Sequence, residues 1–290
     1  MKGELFLIKS LCFKTNNENA INYLLNQFNS CKLKDFYFSK RKFKNYNNLI
    51  VHYKGSSTDS FFSLLALSLS GCICDIFEND IIKNIISCNY FYLTDVEQEI
   101  VFNNCINYIH ECPLDEAIAK KDALYISFFE YMIENKKMNI DGFINFRIKD
   151  YIKILDSIVD LSVNKFVIDR EYNNFINLVK SYIDSKPCLY NKIHLIYNND
   201  NSLLLDESLN IIETNYNQFN SKYLSDISFS SNDYSLNALL CLLPKNIIIH
   251  SSSEDEFINT LKLIFTNRIT ICKKCEICDL LNSKPINSDI

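Results

Sequence analysis

Glycine is nearly absent from this 290-residue chain: four occur, at positions 3, 55, 71 and 142, and the four prolines stand at 113, 187, 244 and 285. A dinucleotide fingerprint or a phosphate-cradling loop needs several glycines close together, so no nucleotide cofactor motif is present. A glycine–serine nucleophile elbow, HExxH and the kinase signatures are missing as well. So few turn residues favour long helices and compact strands over a loop-rich fold. Histidine is also scarce, at 52, 110, 194 and 250, which limits histidine-based catalysis. The first three read as surface or satisfied core imidazoles. The opening "MKGELFLIKSLCF" lacks the apolar core and small-residue cleavage site of a secretory leader.

What remains is ordinary globular material, 48% hydrophobic and 22% charged, enough to build a core. The net charge of −5 argues against nucleic-acid binding by the whole surface. Charge is uneven, however. Residues 32–54 hold seven Lys/Arg and one Asp, so they carry +6 and the remainder −11. Within them Lys40, Arg41, Lys42 and Lys44 alternate with Phe38, Phe43 and Tyr46, the mixture a single-stranded nucleic-acid groove would use. A hairpin whose aromatics face the core while lysines protect its edge explains the same pattern. The uncharged run Ser60–Cys74 is fifteen residues long, short of the roughly 20 that span a bilayer. It reads as a buried core helix, and no membrane span is expected. Twelve scattered cysteines read as reduced thiols of a cytoplasmic protein.

Periodicity predicts an α+β fold in three regions and a tail. Residues 1–110 open as β-α-β-β, with a hairpin of "DFYFS" and "NLIVHY" around a basic "KRKFKN" turn. Helices follow at about 58–78 and 94–109, the second opening on the capping box Thr94–Glu97. Residues 111–186 read as a helical region. Its main helix is capped near Asp141 and carries apolar residues at Ile144, Ile148, Tyr151, Leu155, Ile158, Ser162 and Phe166. Asp156 and Asp160 fall on the opposite, solvated face, and no Glu-x-x-His motif accompanies them to suggest a di-metal site. Residues 187–280 form an α/β region: a hairpin of "KIHLIY" and "SLLLD", a helix ended by Pro244, and "NIIIH"-helix-"RITIC". The last three make a βαβ unit with parallel strands and a right-handed crossover. Residues 281–290 are a tail.

The strongest chemical signal is "CKKCEIC". Cys272, Cys275 and Cys278 recur every three residues, a spacing that lets a short loop aim successive thiolates at one soft metal, zinc or an iron–sulfur cluster. Lys273 and Lys274 should lower the thiol pKa values. A fourth ligand is needed, and only Asp279 follows. The βαβ topology supplies a better one, because parallel strands place His250 and Cys272 on the same rim of the sheet, where open α/β sheets build their sites. Cys241 is a second candidate. A thioredoxin-like CxxC pair is the rival, but such motifs need a following helix, and Pro285 leaves little room for one.

Two stretches, "IDGFINFR" and "REYNNFINLVKSYI", resemble the YtxC-like family of proteins ascribed to sporulation in endospore-forming bacteria. They bring Gly142, Phe143, Phe146, Arg147 and Tyr151, then Glu171, Tyr172, Phe175 and Ile176. The closing pattern of Pro244, Ile248, His250, Phe265, Arg268 and the three cysteines looks like that family too. The resemblance implies a cytosolic protein tied to spore formation and carries over no catalytic residue. Arg147 and Glu171 are expected to form a structural ion pair. Three functions follow as expectations: a non-enzymatic regulatory or partner-binding module with a structural metal, a metal-dependent enzyme centred near His250 and Cys272, and a nucleic-acid-associated factor using residues 32–54.

Overall fold

The computed structural model describes residues 9–31, 33–43, 46–198, 201–212, 230–251, 255–272 and 274–283. The chain forms two compact units, residues 1–168 and 169–290. Both are mixed: each holds a four-stranded sheet with helices, as the α+β expectation requires.

The N-terminal unit begins with β1 (Lys9–Thr15), α1 (Glu18–Asn29), β2 (Phe36–Phe43) and β3 (Tyr46–Tyr53). Both β1 and β2 pair antiparallel with β3, so β2 is an edge strand of the order β2-β3-β1-β4. Lys40, Arg41 and Lys42, expected in the turn, instead lie within β2, whose pairing runs out to Phe43↔Tyr46. Next come α2 (Thr58–Cys72), a π-helical turn Ile73–Phe77 and α3 (Glu78–Asn89). This run is long and apolar enough to cross a membrane by length and composition, but half of its apolar window is buried within the protein. Phe61, Leu65, Ala66, Leu69, Cys72 and Ile73 are fully buried, as the core-helix reading requires.

Helix α4 (Asp95–Glu111) opens on the expected box: Glu97 N–H donates to Thr94 Oγ1 at 3.4 Å, and Thr94 N–H to Glu97 Oε2 at 2.9 Å. Thr94→Ala leaves a first-turn N–H without its acceptor and is expected to cost about 1 kcal/mol. Urea unfolding measures this, and an unchanged midpoint would deny the box any role.

Helix α5 (Leu114–Glu134), β4 (Lys137–Asn139), α6 (Ile140–Phe146) and α7 (Lys149–Ser185) correct the expectation of unbroken helix. β4 pairs parallel with β1. Asn139, not Asp141, caps α6, accepting from Gly142 N–H at 3.4 Å. The Asp141 carboxylate is engaged elsewhere, accepting from Thr15 Oγ1 at 2.9 Å and Asn16 N–H at 3.1 Å at the end of β1. At its other end α6 stops at Arg147 (φ −120°, ψ −23°), whose N–H donates to Phe143 O, and α7 begins two residues later. Beyond the break the expected face is correct: Ile148, Tyr151, Leu155, Ile158, Ser162 and Phe166 are all buried.

A buried polar cluster sits in this core. Glu78 N–H donates five residues back to Ile73 O, closing the π turn, and the Glu78 side chain is 9% exposed. Lys120 Nζ, equally buried, donates to both carboxylate oxygens at 3.0 and 2.8 Å. The Tyr151 hydroxyl donates to Glu78 Oε2, and Cys74 Sγ lies 4.0 Å from that hydroxyl. Burial first, and then the neighbouring Cys74 and Glu78, push the Tyr151 phenol far up, so it stays a donor.

The C-terminal unit holds β5 (Tyr190–Asn198), β6 (Asn201–Leu205), α8 (Ser231–Leu242), β7 (Pro244–Ser251), α9 (Glu256–Ile264), β8 (Ile269–Ile271) and α10 (Glu276–Ser283). The sheet order is β6-β5-β7-β8. β5 and β6 form the expected hairpin, and β7 and β8 are parallel as the βαβ reading requires. The central pairing, β5 parallel to β7, joins the two motifs into one sheet. Glycine's scarcity shows at the end of α8, where Leu243 takes the left-handed position (φ 44°) that a glycine usually fills. Arg268 straps the sheet's base, donating to Pro244 O at 3.3 Å and Ile183 O at 3.4 Å.

Candidate metal centre

Parallel strands bring their carboxyl ends to one rim. His250 lies near the end of β7, and Cys272 follows β8, its N–H donating to Ile249 O at 2.9 Å. Two residues on, the chain turns into α10. Asp279 N–H donates to Cys275 O at 3.0 Å, which makes Cys275 the N-cap and puts Cys278 in the first turn. Strand end, cap and first turn therefore converge on one point. Ligand atoms of His250, Cys272, Cys275 and Cys278 all lie within 4.8 Å of one another, and together they could hold a metal ion. His250 Nδ1 is 3.3 Å from Cys275 Sγ and 3.4 Å from Cys278 Sγ, and the two sulfurs are 3.7 Å apart.

The electrostatics differ from the lysine-driven expectation. Cys275 is held below the usual thiol range first by the Cys278 N–H at the helix start, with help from the Cys272 and Cys278 side chains. Lys274 is not among the causes, and Lys273 lies outside the described residues. Burial, then its two cysteine neighbours, pushes Cys278 up to about 12. Cys275 and Cys278, with sulfurs 3.7 Å apart, do not readily ionise together, because the first thiolate raises the cost of the second; a bound cation would offset that repulsion.

His194 completes the site from β5. Its Nδ1 is 2.9 Å from His250 Nε2, and the rings stack at 5.2 Å. A metal bound at Nδ1 of His250 would leave the proton on Nε2, which would then donate to His194 Nδ1 and orient the ring. Burial lowers the pKa of both rings, and the partner ring lowers that of His250 further. Both therefore stay neutral. A folded pKa below the ordinary histidine value means that acidification charges the unfolded chain first, so the metal-free unit should lose stability as pH falls through that range. Denaturant midpoints above and below it check the sign. His194→Ala should keep one ion per chain but weaken its affinity about 10–100-fold. Competition with a chromophoric chelator measures that loss; unchanged affinity would remove His194 from the site.

His194 is the residue that sequence reasoning missed. Its signal was the β5–β7 pairing, which sets Ile196 beside His250 and His194 two residues away on the same face. Other candidates fall elsewhere. Cys241 is exposed on α8, Asp279 is exposed on α10, and neither belongs to the group of four. The helix said to lack room is present, since α10 follows the CxxC directly.

The basic stretch is split by strand alternation. Phe36 and Phe38 pack against the core, and Lys40 and Lys42 continue along that face of β2, with Lys40 Nζ 3.4 Å from Glu18. Arg41 and the exposed Phe43 share the other face, and Lys44 lies outside the described residues. Of the motif residues, Gly142 and the exposed Phe146 lie on α6, and Arg147 stacks over Tyr131 at 5.9 Å. Arg147 belongs to the first unit and Glu171 to the second, where Glu171 meets Arg170 at 3.5 Å. Tyr172 bonds Thr260 across 3.0 Å.

Comparison with known proteins adds three findings. The profile of the YtxC-like family matches residues 63–270. The uncharacterized protein YtxC of Bacillus subtilis (strain 168) is 21% identical over 154 residues, 52% of this chain and 54% of that protein. The matched region thus spans about half the length of the curated relative. No solved structure matches.

Proposed function

The chain belongs to the YtxC-like family, and on that footing we propose a cytoplasmic, sporulation-associated protein that acts as a non-enzymatic, protein-binding or regulatory module. In this reading its C-terminal unit is closed by one structural zinc ion on His250, Cys272, Cys275 and Cys278. The observation that carries the proposal is ligand spacing. Tetrahedral zinc, with sulfur at about 2.3 Å and nitrogen at about 2.0 Å, sets neighbouring ligands about 3.5–3.8 Å apart. Among His250, Cys275 and Cys278 the distances are 3.3, 3.4 and 3.7 Å, and the Cys272 sulfur lies within 4.8 Å of all three. An iron–sulfur cluster spreads its cysteines over separate irons and needs them further apart.

Four protein ligands fill a tetrahedron and leave no place for water or substrate, which separates structural from catalytic zinc. The enzyme alternative would need one of the four to leave. Metal analysis of protein purified without oxygen decides: about one zinc per chain, lost in Cys275→Ser, is expected. Iron with sulfide would favour a cluster, and no metal in either protein would overturn the reading.

A further inference from the structure

Cys275 and Cys278 are positioned for a second chemistry. Their sulfurs are 3.7 Å apart, and a disulfide brings them to about 2.05 Å. Their backbones sit at the N-cap and in the first turn of α10, with the Asp279 N–H to Cys275 O bond holding the CxxC spacing. Cys272 is tethered differently, to β7 through its N–H bond to Ile249 O at 2.9 Å.

We propose that in the metal-free chain Cys275 and Cys278 form a dithiol–disulfide couple that exchanges with low-molecular-weight disulfides. Cys275 thiolate attacks one sulfur of the small disulfide, forming a mixed disulfide and expelling one small thiolate. Cys278 thiolate then attacks the Cys275 sulfur, closes the intramolecular bond and expels the second. The protons of the two cysteines end on the two small thiols. The chain loses two protons and two electrons, and the small disulfide is reduced by both. Once the bond has closed, only His250 and Cys272 remain as ligands, so oxidation and metal exclude each other. The couple rests on the sulfur–sulfur approach alone, and it stands or falls whether or not the site takes zinc.

The test uses the full chain, reduced, stripped of metal and exposed to oxidised glutathione, then alkylated and peptide-mapped. The expected product is a Cys275–Cys278 bridge with loss of those two alkylatable thiols, formed equally in Cys272→Ser. In Cys275→Ser and Cys278→Ser the bridge should be absent, and glutathione should stay on the surviving thiol. Stable glutathione adducts on both cysteines of the wild-type chain would overturn the proposal. So would a bridge from either of them to Cys272 or Cys241.

Discussion

Chelating the proposed zinc is expected to destabilise the C-terminal unit far more than any single surface substitution. A ligand that binds only the folded form adds RT ln(1 + [L]/Kd), about 2.7 kcal/mol at a hundredfold excess over Kd and about 4.1 at a thousandfold. The loss should concentrate where the ligands are anchored, at the end of β8 and the start of α10. β8 has only three residues, and α10 starts from the Cys275 cap. Denaturant unfolding with and without free zinc gives the magnitude, and amide exchange gives the location. Cys275→Ser should already show the lower stability and should not respond to zinc. The dependence on pH has a definite sign: ligation needs neutral His250 and ionised thiols, so the zinc contribution shrinks on acidification. Zinc that changes neither the unfolding midpoint nor amide protection would mean the four residues are not a ligand set.

Lys120→Met is expected to cost the N-terminal unit about 3–5 kcal/mol, because it leaves Glu78 buried and charged without its counter-ion. Lys120 donates to both carboxylate oxygens, and both side chains are 9% exposed, so solvent cannot stand in. The pair need not be a net source of stability, since desolvation offsets most of its Coulomb attraction. Removing the whole cluster, as Lys120→Met with Glu78→Leu and Tyr151→Phe, should therefore recover most of the loss and return to within about 1–2 kcal/mol of the parent. Unfolding midpoints of the single and triple variants measure the difference. Equal losses in both would show that packing volume, not the stranded charge, sets the cost.

These two clusters mark what could and could not be read in the sequence. Local signals were legible. Thr94 and Glu97 announced the start of α4, and the 3.6-residue period from Ile148 to Phe166 identified the buried face of α7. "NIIIH", helix and "RITIC" imply parallel strands, which is enough to set His250 and Cys272 on one rim of the sheet. Pairings between distant segments were not legible. Nothing local to "KIHLIY" says that β5 lies parallel to β7, so His194 passed as an ordinary imidazole. Charged residues such as Glu78 and Lys120 look solvated in any local window, and only the π turn and the packing of α5 reveal their burial. Asp141 misleads for the same reason: it is a plausible cap by itself, and its engagement with Thr15 and Asn16 at the end of β1 is a long-range contact that no local window shows.

The most direct test of the four-ligand site is X-ray absorption at the zinc edge of the loaded full-length chain. Three sulfur neighbours at about 2.3 Å and one imidazole nitrogen at about 2.0–2.1 Å are predicted, with no oxygen shell. An oxygen ligand in place of His250 or of one cysteine would contradict the closed site and make the open, catalytic reading the better one.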